Sequence, residues 1–178
     1  MAGAVSVALG KGDYITAYQI AVPRALLGEA WAQATVGAVF SKNRGFLDSC
    51  QEVVWFDKAA RQGNYLAMER LAETYSAGQG VVRDHAKAYR WILAMIKFRL
   101  AAETEDPEPT KKRNNYGHVL KFGDERAAWY RDAYAKPLTN DQRTTIEGGA
   151  KLRHPADEKP AEVMLFPGYL LKSGKLGA

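Results

Sequence analysis

At 178 residues and 19.7 kDa the chain suits one domain or one repeat array better than two, and 47% hydrophobic with 25% charged residues excludes wholesale disorder and a collagen-like composition. A single cysteine, Cys50, excludes an internal disulfide framework and a cysteine-based zinc cluster, and no apolar run approaches the roughly 18 residues that a membrane span needs. The net charge of +5 fits nucleic acid, an anionic envelope surface or an acidic partner, and equally a basic protein with no such partner.

Met1 to Ala8 consists mostly of small residues leading straight into patterned sequence, without the basic region and 7–15-residue apolar stretch of a secretory leader. Two readings follow: a cytosolic protein, or one whose leader has been removed. Val5 to Gly10 predicts a short helix. A second helix starts at Gly12-Asp13-Tyr14 and carries Ala17, Tyr18 and Ala21 on one side. Pro23 inside it marks a kink, an end, or the first turn of a restarted helix.

From Ala25 onward the chain repeats itself. Ala25-x-x-Gly28 corresponds to Ala60-x-x-Gly63, and small, aliphatic, small and aromatic residues then match in order: Ala32 with Ala67, Val36 with Leu71, Gly37 with Ala72, Phe40 with Tyr75. Gly45 matches Gly80, and Trp55 matches Trp91 at an offset longer by one residue. Steps of four residues return to nearly the same helical face, so each unit opens with an amphipathic helix whose small residues admit a close neighbour. Ser76 to Gly80 predicts a turn, Asp84 an N-cap, and the following helix runs roughly from Asp84 to Glu103 with Ala88, Trp91 and Met95 on one face. Each unit is helix, turn, helix, and one unit buries its apolar face only by stacking on the next.

Thr104 to Thr110 holds two prolines and three acids and predicts a surface loop, followed by the basic Lys111-Lys112-Arg113. A helix resumes at Gly123 and runs through Tyr134, with Pro137 ending it. Thr139 and Gln142 stand at capping-box spacing and open a last helix to about Leu152. Pro155, Pro160 and Pro167 then punctuate a tail with apolar runs at Val163–Phe166 and Tyr169–Leu171, which predicts extended chain packed on the helices or on another molecule.

Residues that could carry chemistry do not assemble in the sequence. His85, His118 and His154 are far apart and without matching ligands, so solvated or capping roles are expected and no metal site. No phosphate-binding loop or dinucleotide motif occurs, and Gly78-Gln79-Gly80 joins two helices. Cys50 reads as a small packing residue. Trp55 and Trp91 hold the repeat's core position, whereas Trp31 and Trp129 each stand open to two readings, an exposed anchor or a buried ring. The patch Lys111-Lys112-Arg113 with Tyr116 and Lys121 is too narrow for the basic stripe of a nucleic-acid binder and reads as a solvated loop.

The stretch Ala60 to Ala67, then Leu71-Ala72-x-x-Tyr75-x-x-Gly78-x-Gly80-Val81-x-x-Asp84-x-x-x-Ala88-x-x-Trp91, closely resembles the Sel-one-like repeat, a relative of the tetratricopeptide repeat. The copy from Ala25 to Ala59 keeps the first helix and its closing Trp55-Phe56-Asp57-Lys58-Ala59, but Asn43 and Ser49 stand where glycine and aspartate are usual. The resemblance covers residues 5–103 and, more loosely, 123–152; the acidic loop and the tail fall outside it. It implies an α-solenoid of antiparallel helix pairs with a concave face, and adaptor, scaffold, inhibitor or immunity roles, often in the bacterial envelope. The β-lactam-binding role of cysteine-rich relatives is not carried over to a chain with Cys50 alone. Because such proteins commonly begin with a leader followed by a segment like residues 2–18, the resemblance favours a removed leader and a periplasmic or secreted protein over a cytoplasmic one.

The expectation is therefore an all-α superhelix over residues 1–154, with repeats at about 25–59 and 60–96, partial units at both ends, and an extended tail over 155–178. It is a protein–protein interaction module, with a toxin-neutralising immunity or inhibitor protein as the alternative, and an enzyme on cell-wall or small-molecule substrates as the lesser one. No catalytic residue, cofactor or nucleic acid is expected. Stacked pairs put the first helices on the inner curve, where Glu29, Gln33, Asn64, Tyr65 and Met68 lie off the packing face, with Trp31 beside them; an extended peptide or helix would lie there. The tail at 163–171 is a possible internal occupant of that groove.

Overall fold

The computed structural model describes residues 2–42, 46–105 and 123–148. The loop position Asn43, the prolines of the acidic loop, the basic run at 111–113, His118, the end of the last helix beyond Gly148, His154 and the whole tail lie outside the described residues. Eight helices make up the described chain, with no strand among them: α1 (Ala2–Gly10), α2 (Tyr14–Leu26), α3 (Ala30–Lys42), α4 (Phe46–Arg61), α5 (Tyr65–Ala77), α6 (His85–Glu105), α7 (Gly123–Ala135) and α8 (Asn140–Gly148). The all-helical expectation holds.

Local sequence sets the helix ends. The amide of Thr16 is capped by Asp13, that of Ala67 by Asn64 and that of Lys87 by Asp84, each at 2.8–3.0 Å. Thr139 and Gln142 form the reciprocal box expected of them, Gln142 N–H donating to the threonine hydroxyl and Thr139 N–H to the glutamine Oε1. Three turns share one geometry. At Gly12, Gly28 and Gly63 the glycine amide returns to the carbonyl three residues back, and the next amide to the one five back. This is the paired hydrogen bond of a Schellman end, and it needs a left-handed residue, here Gly63 at φ 87°. The Ala-x-x-Gly signature is thus the last turn of one helix and the reversal into the next.

Pro23 neither breaks nor ends α2, which continues to Leu26. Pro23 and Gln19, whose carbonyl loses its usual amide partner, both lie on the exposed side, where water can serve instead. α6 also runs two residues past its expected end, to Glu105.

Each helix packs on the next from α1 to α7, while α1 also touches α3, and α6 touches α8. Most matched positions of the repeat turn inward: Ala32, Val36, Ala67 and Leu71 are inaccessible, Tyr75 and Trp55 nearly so, and Trp91 is completely buried, whereas Phe40 is half-buried and Gly45 lies outside the described residues. Trp55 closes a cluster with Ala21, Ala25, Ala32 and Val36, and Trp91 lies in the larger core joining α4 to α7. The two copies trade volume. In the first, Gly37 leaves room for the Phe56 ring, and a Cβ there would stand 2.8 Å from it; in the second, Ala72 and Ile92 occupy the corresponding places, both buried in one cluster. Gly80, at φ 68°, meets the α4 backbone so closely that a Cβ would lie 2.8 Å from the Ser49 carbonyl carbon. Cys50, buried as expected, points its Sγ at the Gly80 carbonyl at 3.9 Å.

Candidate functional site

The six residues expected on a binding face are not equally placed. Met68 is 0% exposed and Gln33 5% exposed, so both belong to the interior. The reason is the width of the packed arc. α5 is gripped by α4 on one side and α6 on the other, so Ala67, Met68, Leu71, Ala72, Thr74 and Tyr75 are all buried, an arc of roughly 160° at about 100° per residue. A face defined by steps of four alone is too narrow. Gln33, equivalent to Met68 in the first unit, satisfies its amide inside. Its Nε2 donates to the Ala25 carbonyl at 3.2 Å, and its Oε1 accepts from Gln62 Nε2 at 2.7 Å.

The other four sit half-exposed around helix starts. Glu29 accepts from Arg24 Nη1 at 2.9 Å and from the Trp31 indole N–H at 2.7 Å, which fixes that ring at the junction of α2 and α3. Arg24 in turn holds the Glu29 carboxyl below its ordinary range. Asn64 spends its side chain on capping α5. Tyr65 packs on the core and lies under the Arg99 guanidinium, 4.7 Å from the ring centre. Trp31 is therefore a partly buried, hydrogen-bonded ring; Trp129 is the exposed one, at 63%, standing edge-on to Tyr130.

A second surface converges from three helices. On the outer side of α5, Glu69, Arg70 and Glu73 alternate, and Arg70 Nη1 pairs with Glu73 Oε2 at 2.8 Å. α4 brings Glu52 to the same place. Withdrawal from water pushes its carboxyl up to about 7; Arg70 opposes this and the negative Glu73 adds to it. α7 supplies two phenols. The Tyr130 hydroxyl donates to Glu69 Oε1, and burial followed by that bond raises it to about 12. Tyr134 rises to about 12 through burial and the carboxylates of Glu73 and Glu69. Three carboxylates and one guanidinium thus share one face in a chain that is basic overall, with Tyr130 buried behind Glu69 and Tyr134 partly buried beside it.

These residues were missed by the sequence reading, although a signal existed: Glu69 and Glu73 are four apart on the side of α5 away from Ala67 and Leu71, and Tyr130 and Tyr134 are four apart on α7. Among the described residues no group of three or more His, Cys, Asp or Glu side chains could hold a metal ion, and no helix is long and apolar enough to cross a membrane. The arrangement offers carboxylate acceptors and one cation, which suit recognition of a polar or basic side chain.

Comparison with family models, with curated proteins and with solved structures gives no match.

Proposed function

We propose that this chain is an interaction module of the Sel-one-like repeat type that holds a protein or peptide partner on the face shared by α4, α5 and α7. The observation that carries the reading is the gathering of Glu52, Glu69, Arg70 and Glu73 from α4 and α5 onto one surface, with the buried Tyr130 of α7 holding Glu69 and the partly buried Tyr134 beside them. Ionic and hydrogen-bonding groups held in place by packed helices recognise a partner with little ordering cost. The α5 members of this face sit on a first helix, the layer from which binding was expected, but toward its middle rather than its start.

Affinity capture from native extract, with the full chain and with residues 155–178 removed, tests the module reading. Glu73→Lys should weaken capture of the enriched partner by about ten-fold, as loss of a charged contact costs on the order of 1.5–3 kcal/mol, whereas Lys11→Glu on the far end should not. No enriched partner, or equal loss with both variants, would overturn it. A periplasmic or secreted location goes with the family resemblance and is tested by fractionating cells that express the full gene with a C-terminal tag.

A further inference from the structure

Helix α8 is locally well made and globally poorly held. Its capping box is complete, yet none of its described residues, Asn140 to Gly148, is buried. It touches α6, and among the described residues Glu147 carries the attachment: the Tyr89 hydroxyl on α6 donates to Glu147 Oε1, and Arg143 of α8 pairs with the same carboxylate at 2.8 Å. Beneath it the packing is open. A cleft of about 350 Å³ is lined by Leu93 of α6, Arg131 and Asp132 of α7, and Arg143 and Glu147 of α8.

We propose that α8 is a hinged lid on the α6–α7 cleft, latched by the Tyr89–Glu147 hydrogen bond, and that it opens as a local unit while the rest of the stack stays folded. An element with no buried side chain contributes little apolar burial to its own docking, so its opening lies far below global unfolding. Tyr89, by contrast, is wholly buried in α6 except for that hydroxyl contact, so the latch joins a rigid base to a mobile cover. Opening frees the Tyr89 hydroxyl, Leu93 and Arg131 together, an apolar floor beside a donor and a cation. The inference is independent of the binding face on α4, α5 and α7.

Amide hydrogen exchange followed by mass spectrometry on the full chain tests it, with Tyr89→Phe and Glu147→Ala as two independent ways to undo the latch. In the wild type, peptides covering Arg143 to Glu147 should exchange at least about ten-fold faster than those of α5 and α6. Each variant should accelerate α8 exchange by about ten-fold, the scale of a hydrogen bond to a charged group, with α3 to α6 unchanged. Glu147 is exposed, so its variant keeps the test valid even if the tyrosine change disturbs α6. Exchange of α8 at the rate of α6 in the wild type, no response to Glu147→Ala, or equal acceleration throughout the chain would each overturn the lid.

Discussion

Gly80 and Gly12 both sit at positive φ, but they differ in what surrounds them. A side chain at Gly12 meets open space, whereas one at Gly80 would collide with the main chain of Ser49. Gly12→Ala should therefore cost about 1 kcal/mol from backbone strain alone. Gly80→Ala should cost about 2–4 kcal/mol, because backbone cannot step aside as a flexible side chain can. The ratio is read from urea midpoints at unchanged m-value. Glu52 makes a different prediction. Its carboxyl holds a proton up to about 7 in the folded chain and releases it near 4.5 when unfolded. Between those values the folded state binds more protons, so stability falls as pH rises through that window, and the full cost is present above 7. Glu52→Gln should then stabilise the protein at pH 8 by about 1–2 kcal/mol, after discounting for partial exposure, and should do little at pH 4. Equal effects at both pH values would contradict the burial of that carboxylate.

At the scale of the helix, the volume exchange between the two copies can be tested directly. Gly37→Ala puts a methyl group into the Phe56 ring and should cost about 1–2 kcal/mol, since overpacking outweighs the gain in helix propensity. Combined with Phe56→Ile, which copies the Ala72 and Ile92 pair, it should cost measurably less than the sum of the two single changes. Much at this level was legible beforehand. The caps at Asp84 and Thr139 follow from short-range chemistry, and the inward stripe of Ala32, Val36, Ala67 and Leu71 follows from steps of four. What stayed hidden depends on neighbours distant in sequence. Met68 is buried because α5 is gripped from two sides, a fact about α4 and α6 rather than about α5. Tyr130, buried on α7, reaches Glu69 across 61 residues, and periodicity within either helix says nothing of that pairing. Pro23 failed as a helix stop because the carbonyl it orphans faces water.

Across the molecule, the described helices touch mainly their neighbours along the chain, so stability should be distributed rather than held in one central core. The heaviest burial lies between α4 and α7, with smaller clusters toward α1. Native-state amide exchange should accordingly show the slowest amides in α4, α5 and α6 and progressively faster ones toward α1. A single exchange rate common to all helices would mean that the stack unfolds as one unit.

The seat of Gly80 on Ser49 is backbone against backbone, so at that point the turn after α5 meets α4 with no side chain between the two main chains. Outward residues of α5 and α7 are consequently free to be exchanged without shifting the hairpins. A scaffold anchored in that way can be retargeted by surface substitution alone, provided the glycine is left in place.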